Sequence, residues 1–217
     1  MHVVTKRTVV VIAVTIAAAL VAGCGSSSDT KSAPPAKLKG VVRTPAPEVG
    51  ALSLPDVNHG GTPLAMKAAP GGLLVMYFGY TNCPDICPGT LAGLRLAIHK
   101  LGAADATKVQ MAMATVDPNR DTDAVLTEYL KHFFKDAHAL RSTDPAQLTA
   151  VTDGFGVQYE VATDDQGQTE VGHTALSFAI DDQGRVVDAW PFGMDEKTIA
   201  ADMKILLARA AAAAAAT

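Results

Sequence analysis

Apolar and polar residues alternate along this chain with two different periods, and the period changes repeatedly after residue 72. Leu73–Phe78 is a continuous apolar run, which is typical of a strand buried on both faces. Val109–Val116 is a second strand candidate. Between them, apolar residues recur three or four positions apart, as on one face of a helix, and Gly102 is placed to end that helix. The apolar positions of this predicted helix are Leu91, Leu94, Ile98 and Leu101.

Capping and turn residues mark further elements. Asp121 or Thr122 is expected to cap a second helix, and a short third helix is expected to start at Asp144-Pro145. Asp195 is the expected cap of the last helix. Asn58–Gly61 predicts a hairpin turn ahead of the first buried strand. The predicted apolar face of the second helix consists of Val125, Tyr129, Leu130, Phe133 and Phe134.

The last third of the chain predicts strands around a polar loop. Val157–Val161 is an expected edge strand, and His173–Ile180 and Arg185–Trp190 are expected strands joined by a turn at Asp181–Gly184. Ala162–Gly172 is rich in Asp, Gln and Gly and offers few apolar anchors, so we expect a loop that is mobile without a ligand.

The order of these elements predicts an α/β domain. Strand, helix, strand and helix, followed by a hairpin and a closing helix, indicate a thioredoxin-like fold with a central mixed sheet, flanking helices and an N-terminal β-hairpin extension. We expect this domain to cover residues 49–209. Residues 1–23 are expected to be a signal peptide, 24–48 a flexible linker, and 210–217 a low-complexity alanine tail.

The first residues resemble an export signal. Lys6 and Arg7 precede the apolar stretch Thr8–Ala22, which is short for a membrane-spanning helix. Val21–Cys24 resembles a bacterial lipobox, which implies that Cys24 is the lipidated first residue of the mature protein. The alternative is an uncleaved membrane anchor. Both interpretations place the domain at the extracytoplasmic face of the membrane.

The charge of the chain excludes one class of function. The formal net charge is −4, from 18 basic and 22 acidic residues, and these residues are dispersed. Nothing in this pattern indicates a surface for nucleic acid.

Two cysteines follow the first buried strand. Cys83 and Cys87 are four positions apart, so one helical turn would place their Cβ atoms about 5–6 Å apart. The third cysteine of the sequence is the expected lipidation site Cys24, so these two have no other partner. A position at a helix N-terminus would lower a thiol pKa.

Three uses of this pair remain open. A structural disulfide would close a five-residue loop and stabilise the fold only weakly. A redox-active C-x-x-C site has two residues between its cysteines, whereas three separate Cys83 from Cys87. The wider spacing leaves room for a soft metal, since two thiolates satisfy linear Cu(I) and one added imidazole makes the site trigonal.

Three segments, in order, resemble the motifs of the Sco/SenC proteins. They are Tyr80–Pro88 around the cysteines, Thr115–Thr122, and Val171–Thr174. The resemblance spans roughly Val49–Leu207. Asn82 departs from the pattern, because many relatives have histidine there, but that side chain is not among the family's ligands.

The resemblance implies a membrane-tethered, thioredoxin-like copper chaperone rather than an enzyme. Its ligands would be Cys83, Cys87 and His173, and it would carry copper as Cu(I), Cu(II) or both. The expected partner is subunit II of cytochrome c oxidase, whose dinuclear copper centre it would help to load. Another copper chaperone and a thiol reductant are further expected partners. From the polar composition of the loop at 162–172, we expect copper to recruit His173 and to order that loop.

Some members of the family also act as thiol reductants. The alternative function is therefore a thiol–disulfide oxidoreductase that reduces the cysteines of the oxidase, with Cys83 and Cys87 as the redox pair. A peroxidase is a third and weaker candidate function.

Asp85 lies between the cysteines and either tunes the site, recognises a partner or caps the helix. Asp117 and Arg120 either pair to hold the second motif against the cysteine loop or form a solvated turn.

Overall fold

The computed structural model describes His2, residues 37–167 and residues 169–215. The rest of the predicted leader and linker, the predicted lipidation site Cys24 and the last two residues of the alanine tail lie outside the described residues. Within the described part, no helix combines the length and apolarity needed to cross a membrane.

Nine strands in the described part form two sheets. The strands are β1 Ser53–Asp56, β2 Thr62–Ala65, β3 Leu73–Gly79, β4 Val109–Thr115, β5 His138–Leu140, β6 Tyr159–Thr163, β7 Thr169–His173, β8 Leu176–Ile180 and β9 Val186–Pro191. The larger sheet has the order β2-β1-β5-β4-β3-β8-β9, and β6 and β7 form a separate hairpin. β3 is parallel to β4 and antiparallel to β8, which makes the sheet mixed. β1 and β2 form the predicted N-terminal hairpin.

Helices connect and cover the strands. The described helices are α1 Ile86–His99, α2 Ala103–Ala106, α3 Asp123–Lys131, α4 Pro145–Phe155 and α5 Glu196–Ala214. Thr122 caps α3 by accepting a hydrogen bond from the backbone N–H of Val125, and Asp195 caps α5 through two backbone N–H groups. The predicted caps at Thr122, Asp144 and Asp195 are thus confirmed. The sequence did not predict α2, which has only four residues.

β3 lies at the centre of the core. All seven of its residues are buried, as its continuous apolar run predicts. Phe78 packs edge-to-face against Phe155 of α4 and Phe178 of β8, with ring centroids 5.2 and 6.2 Å apart. This packing fixes the carboxyl end of β3, from which the cysteine loop departs.

The prediction of a polar loop at 162–172 is wrong. These residues belong largely to the β6–β7 hairpin, in which Tyr159 pairs with His173 and Val161 with Val171. Backbone hydrogen bonds across the hairpin order a segment that has little apolar periodicity of its own. The predicted strand His173–Ile180 is also interrupted, since β7 ends at His173 and β8 begins at Leu176.

The buried face of α3 differs from the prediction by one position. Leu126 and Leu130 are buried, whereas the side chain of Val125 is 44% exposed. Phe133 and Phe134 follow the end of the helix, so their positions do not obey its period. Within the predicted linker, the segment 38–48 lies against the domain, and the backbone N–H groups of Lys39 and Gly40 donate to the Asp202 carboxylate.

Candidate metal centre

The cysteine loop places two thiols beside each other at the start of α1. Cys87 is the second residue of α1 and is completely buried, whereas Cys83 precedes the helix and is 9% exposed. The backbone N–H of Cys87 donates to the Sγ atom of Cys83 over 3.2 Å. No disulfide joins the two sulfurs.

His173 reaches this pair from the end of β7. Its Nε2 atom lies 3.5 Å from the Sγ atom of Cys87. Its Nδ1 atom lies 3.1 Å from the carbonyl oxygen of Thr174, an arrangement in which Nδ1–H donates and Nε2 keeps its lone pair. One ligand atom from each of Cys83, Cys87 and His173 lies within 4.8 Å of the other two. The structure therefore brings together the three residues that the sequence selected.

Two tyrosines hold the imidazole in place. The rings of Tyr77 and Tyr80 each lie edge-on to the ring of His173, with centroids 5.9 Å away. The imidazole is already beside Cys87, so recruitment of His173 by copper is not required for the three ligands to meet.

Burial sets the protonation of the site. It raises the pKa of the Cys87 thiol to about 12, and it lowers the pKa of His173 below its usual value. The expectation of a lowered thiol pKa at the helix N-terminus is wrong for Cys87, because desolvation outweighs the helix dipole. The imidazole is thus kept neutral, the form that binds metal, and the Cys87 thiol loses its proton when a cation takes its place.

Gly79 makes room for the second thiol. A Cβ atom at this position would lie 3.1 Å from Sγ of Cys87 and 2.7 Å from Cε1 of Tyr77. Any side chain at residue 79 would therefore displace the sulfur or the aromatic ring. Two sulfurs and a neutral imidazole match the donor preference of Cu(I).

A comparison with known protein families identifies the family of this chain. The SCO1/SenC family model matches residues 48–208. The chain belongs to the SCO1/SenC family. The mitochondrial protein SCO2 of Saccharomyces cerevisiae is 32% identical over 151 residues, which cover 69% of this chain and 49% of that protein. The SCO2-like protein of Rickettsia felis is 36% identical over 53% of this chain and 56% of its own length. The chain thus spans about half the length of these curated relatives.

Solved structures of Sco proteins share the fold. ScoI of Bradyrhizobium japonicum, with copper bound, has a TM-score of 0.61 and 33% identity over 70% of this chain and 95% of its own. Yeast Sco1 has a TM-score of 0.65 and 30% identity over 75% of this chain and 98% of its own. These likenesses confirm the predicted thioredoxin-like fold.

The second Sco/SenC motif is tied to the cysteine loop by Asp121. Its buried carboxylate accepts hydrogen bonds from the backbone N–H and the hydroxyl of Thr81 and from the hydroxyl of Thr115. Sequence reasoning treated Asp121 only as an alternative helix cap. Thr122 takes the cap of α3, and the partner of Asp121, Thr81, lies 40 residues away, so no local signal in the sequence marks this contact.

Asp117 and Arg120 form the predicted pair. The guanidinium Nε–H of Arg120 donates to the buried Asp117 carboxylate. Nη1 of Arg120 lies 3.5 Å from the carbonyl oxygen of Thr169 at the start of β7, and its Cζ atom lies 6.0 Å from the centre of the Tyr80 ring. The pair therefore links the second motif to the strand that carries His173 and to a ring that packs on it.

Asp85 is exposed and occupies the N-cap position of α1, but its side chain makes no capping hydrogen bond. The capping interpretation of Asp85 is therefore wrong. Its carbonyl oxygen accepts from the backbone N–H of Gly89 over 3.1 Å, as part of the first helical turn.

Proposed function

We propose that this chain is a copper chaperone that binds copper through Cys83, Cys87 and His173 and delivers it to the dinuclear copper centre of cytochrome c oxidase subunit II. The 3.5 Å approach of His173 Nε2 to Cys87 Sγ carries this proposal, because it joins a nitrogen donor to two soft sulfur donors. The copper-bound ScoI of B. japonicum and copper-bound yeast Sco1 support the choice of metal.

The different exposure of the three ligands suggests the order of transfer. Cys87 is buried, Cys83 nearly so, and His173 is half-buried beside an open cleft formed by Gln158–Glu160 and Gly172–Thr174. An acceptor ligand enters from this cleft and replaces the imidazole first. The two sulfurs then release the ion stepwise, since each exchange keeps copper coordinated.

We further propose that Cys24 carries a lipid that holds the domain at the extracytoplasmic face of the membrane. The charged and apolar leader and the small residues before Cys24 support this assignment. Mass spectrometry of protein extracted from membranes tests it. A mature chain that begins at a diacylated Cys24 is expected, and an intact leader would overturn the proposal.

A thiol–disulfide oxidoreductase is the second candidate function. The two sulfurs lie within 4.8 Å of each other, and their oxidation to a disulfide would release two electrons and two protons to a disulfide substrate. Against this candidate, Cys87 is buried and its thiol has a raised pKa, so Cys83 would have to be the attacking group.

Copper transfer separates the two candidates. Two equivalents of the full chain, each loaded anaerobically with one Cu(I), are mixed with copper-free subunit II whose cysteines are reduced. The two proteins are then separated, and the copper bound to subunit II is measured. The variants are Cys83→Ser, Cys87→Ser and His173→Ala, with His99→Ala, an exposed histidine of α1, as the matched control.

A chaperone transfers copper in the wild type and in His99→Ala, and the two cysteine variants fail to retain it. The oxidoreductase alternative predicts a different result. The copper-free chain would then reduce oxidised subunit II at the expense of its own two thiols, and copper transfer to the reduced subunit would not occur.

A further inference from the structure

A second group of metal-ligand side chains lies away from the cysteines. Asp56 ends β1, His59 lies in the turn that follows it, and His138 begins β5. Backbone pairing of Asp56 with Leu140 holds β1 against β5. One ligand atom from each of the three side chains lies within 4.8 Å of the other two.

Both imidazoles turn the same nitrogen toward one carboxylate. Oδ2 of Asp56 lies 2.6 Å from Nδ1 of His138 and 2.9 Å from Nδ1 of His59. Asp56 is only 3% exposed, and its other oxygen, Oδ1, is buried without a hydrogen-bond partner. A buried carboxylate oxygen without a partner is costly in free energy, and a cation bound by the Asp56 carboxylate would reduce this cost.

The second nitrogen of His59 has its own carboxylate partner. Nε2 of His59 lies 3.3 Å from Oδ1 of the exposed Asp136. Without a metal, both ring nitrogens of protonated His59 donate to these two carboxylates, and the hydrogen bond to Asp56 raises the pKa of His59 above its usual value. A divalent ion at Nδ1 would replace the proton there, and the carboxylate on Nε2–H would then orient the ring as it does at many metal sites.

His138 requires one side-chain rearrangement to act as a ligand. Its Nε2 atom lies 3.4 Å from the amide nitrogen of Gln110, whose oxygen accepts from the backbone N–H of Ala69. Rotation of the Gln110 amide by half a turn would place its oxygen on Nε2–H of His138 and free Nδ1 for the ion. The Ala69 contact is exposed, so water can replace it.

The charge and spacing of the group suit a divalent ion. Two carboxylates and two neutral imidazoles carry a charge of −2. An ion with bonds of about 2.0–2.1 Å in a tetrahedral site needs donor atoms roughly 3.3 Å apart. The 2.6 Å contact of Asp56 with His138 must therefore widen by about 0.7 Å, and its 2.9 Å contact with His59 by about 0.4 Å. His59 can move this far, because its side chain is 41% exposed and it is followed by Gly60 and Gly61 at positive φ.

We propose that Asp56, His59 and His138 form a second metal site, for a divalent ion of the class that prefers imidazole nitrogen, with Zn²⁺ as its representative. The ion would connect the β1–β2 turn to β5. Gln110, which contacts His138, pairs with Leu74 near the start of β3, whereas the cysteines follow the end of β3. The site is therefore separate from the Cys83–Cys87–His173 centre and does not depend on the function proposed for it.

The experiment is a Zn²⁺ titration of the full chain against a competing chelator. It is done in the Cys83→Ser/Cys87→Ser background, so that the thiol site does not bind the ion. One equivalent of Zn²⁺ is expected to bind, with at least tenfold weaker affinity after His59→Ala or His138→Ala. Asp136→Asn is expected to weaken binding by about 10- to 100-fold through its contact with Nε2. His99→Ala is the control and should bind as the background does.

Nitrogen-15 NMR of the imidazoles gives an independent readout. Zn²⁺ is expected to shift the Nδ1 resonances of His59 and His138 and leave His99 unchanged. Zn²⁺ should also raise the melting temperature of the background protein but not of its His59→Ala variant. Absence of a bound equivalent, or equal affinity in the background and in His59→Ala, would overturn the proposal. Because His59 is exposed, its variant remains informative even if His138→Ala does not fold.

Discussion

Nε2 of His173 lies 3.5 Å from Sγ of Cys87, although 86 positions separate the two residues. Cys87 is held by the core strand β3 and by α1, whereas His173 is held by a hairpin outside the main sheet. The geometry of the site therefore depends on contacts between these two parts. Variants of the ligands should weaken copper binding by removing a donor atom. Variants of these contacts should weaken it by displacing the ligands, and some should also lower the free energy of unfolding.

Loss of the imidazole should weaken copper binding without removing the sulfur ligands. We expect His173→Ala to lower Cu(I) affinity by more than the ~10- to 100-fold typical of a lost supporting contact. Cu(II) binding should suffer more, since Cu(II) favours nitrogen donors over a two-sulfur site. Chelator competition measures both affinities, and His99→Ala provides the control. Unchanged Cu(I) and Cu(II) affinities would exclude His173 as a ligand.

A methyl group at residue 79 should disturb both the fold and the site. Gly79→Ala would place a Cβ atom 3.1 Å from Cys87 Sγ and 2.7 Å from the Tyr77 ring. We expect a loss of about 1–3 kcal/mol in the free energy of unfolding and weaker copper binding. Gly93→Ala, in α1, is the matched control. Its added Cβ atom would meet no neighbouring atom within 4 Å, and alanine should stabilise the helix relative to glycine. Urea denaturation and copper titration test this, and equal behaviour of the two variants would contradict it.

The buried Asp121 carboxylate should be essential for the position of the cysteine loop. In Asp121→Asn, an amide NH₂ replaces one carboxylate oxygen that accepts a hydrogen bond from Thr81 or Thr115. The new N–H donors would then face the N–H or O–H donors of these threonines. A loss of about 1–3 kcal/mol in the free energy of unfolding is expected, together with reduced copper affinity. Asp105→Asn, which removes only a surface pair with Lys108, should cost less than about 1 kcal/mol. If both variants unfold at the same urea concentration, Asp121 does not support the loop.

The Asp117–Arg120 pair should hold the hairpin that carries His173. Asp117→Ala leaves the Arg120 guanidinium without its carboxylate and loosens its contact with Thr169. Copper retention should therefore fall even under conditions where the domain remains folded by circular dichroism. Lys131→Gln, which breaks an exposed ion pair with Glu128, is the control. Unchanged copper affinity in Asp117→Ala would leave the pair with a local role in the turn after β4.

Asp188 should make the fold less stable as the pH rises. Burial raises the pKa of this carboxyl to about 7, and the nearby Asp202 carboxylate adds to the shift. The folded state then binds more protons than the unfolded state between about pH 4 and pH 7, so its stability is greatest at low pH in this range and falls as the pH approaches 7. Asp188→Asn should remove this dependence of stability on pH. At pH 8 it should raise the free energy of unfolding by on the order of 2 kcal/mol.

Urea denaturation at pH 5 and pH 8 measures this effect of Asp188. Asp153→Asn, on the exposed face of α4, serves as the control and should keep the wild-type slope. A wild-type stability that does not change between the two pH values would contradict the prediction.

Local chemistry explains which elements could be predicted. The apolar run Leu73–Phe78 gave strand β3, and Asp195 gave the start of α5, because periodicity and capping act over a few residues. The β6–β7 hairpin was missed, since its order comes from cross-strand hydrogen bonds between segments that lack apolar alternation. The choice of Leu126 over Val125 for the core likewise depends on the neighbours of α3.

The amino-acid sequence by itself determined the chemical types of the donors, their spacing at Cys83 and Cys87, and the family of the chain, because motifs and local periods are properties of neighbouring residues. Only the tertiary structure decided that His173 meets Cys87, that Asp121 binds Thr81, and that the Cys87 thiol has a raised pKa. Each of these depends on burial and on contacts between distant segments. Such properties arise only when the whole core is packed and water is excluded from it.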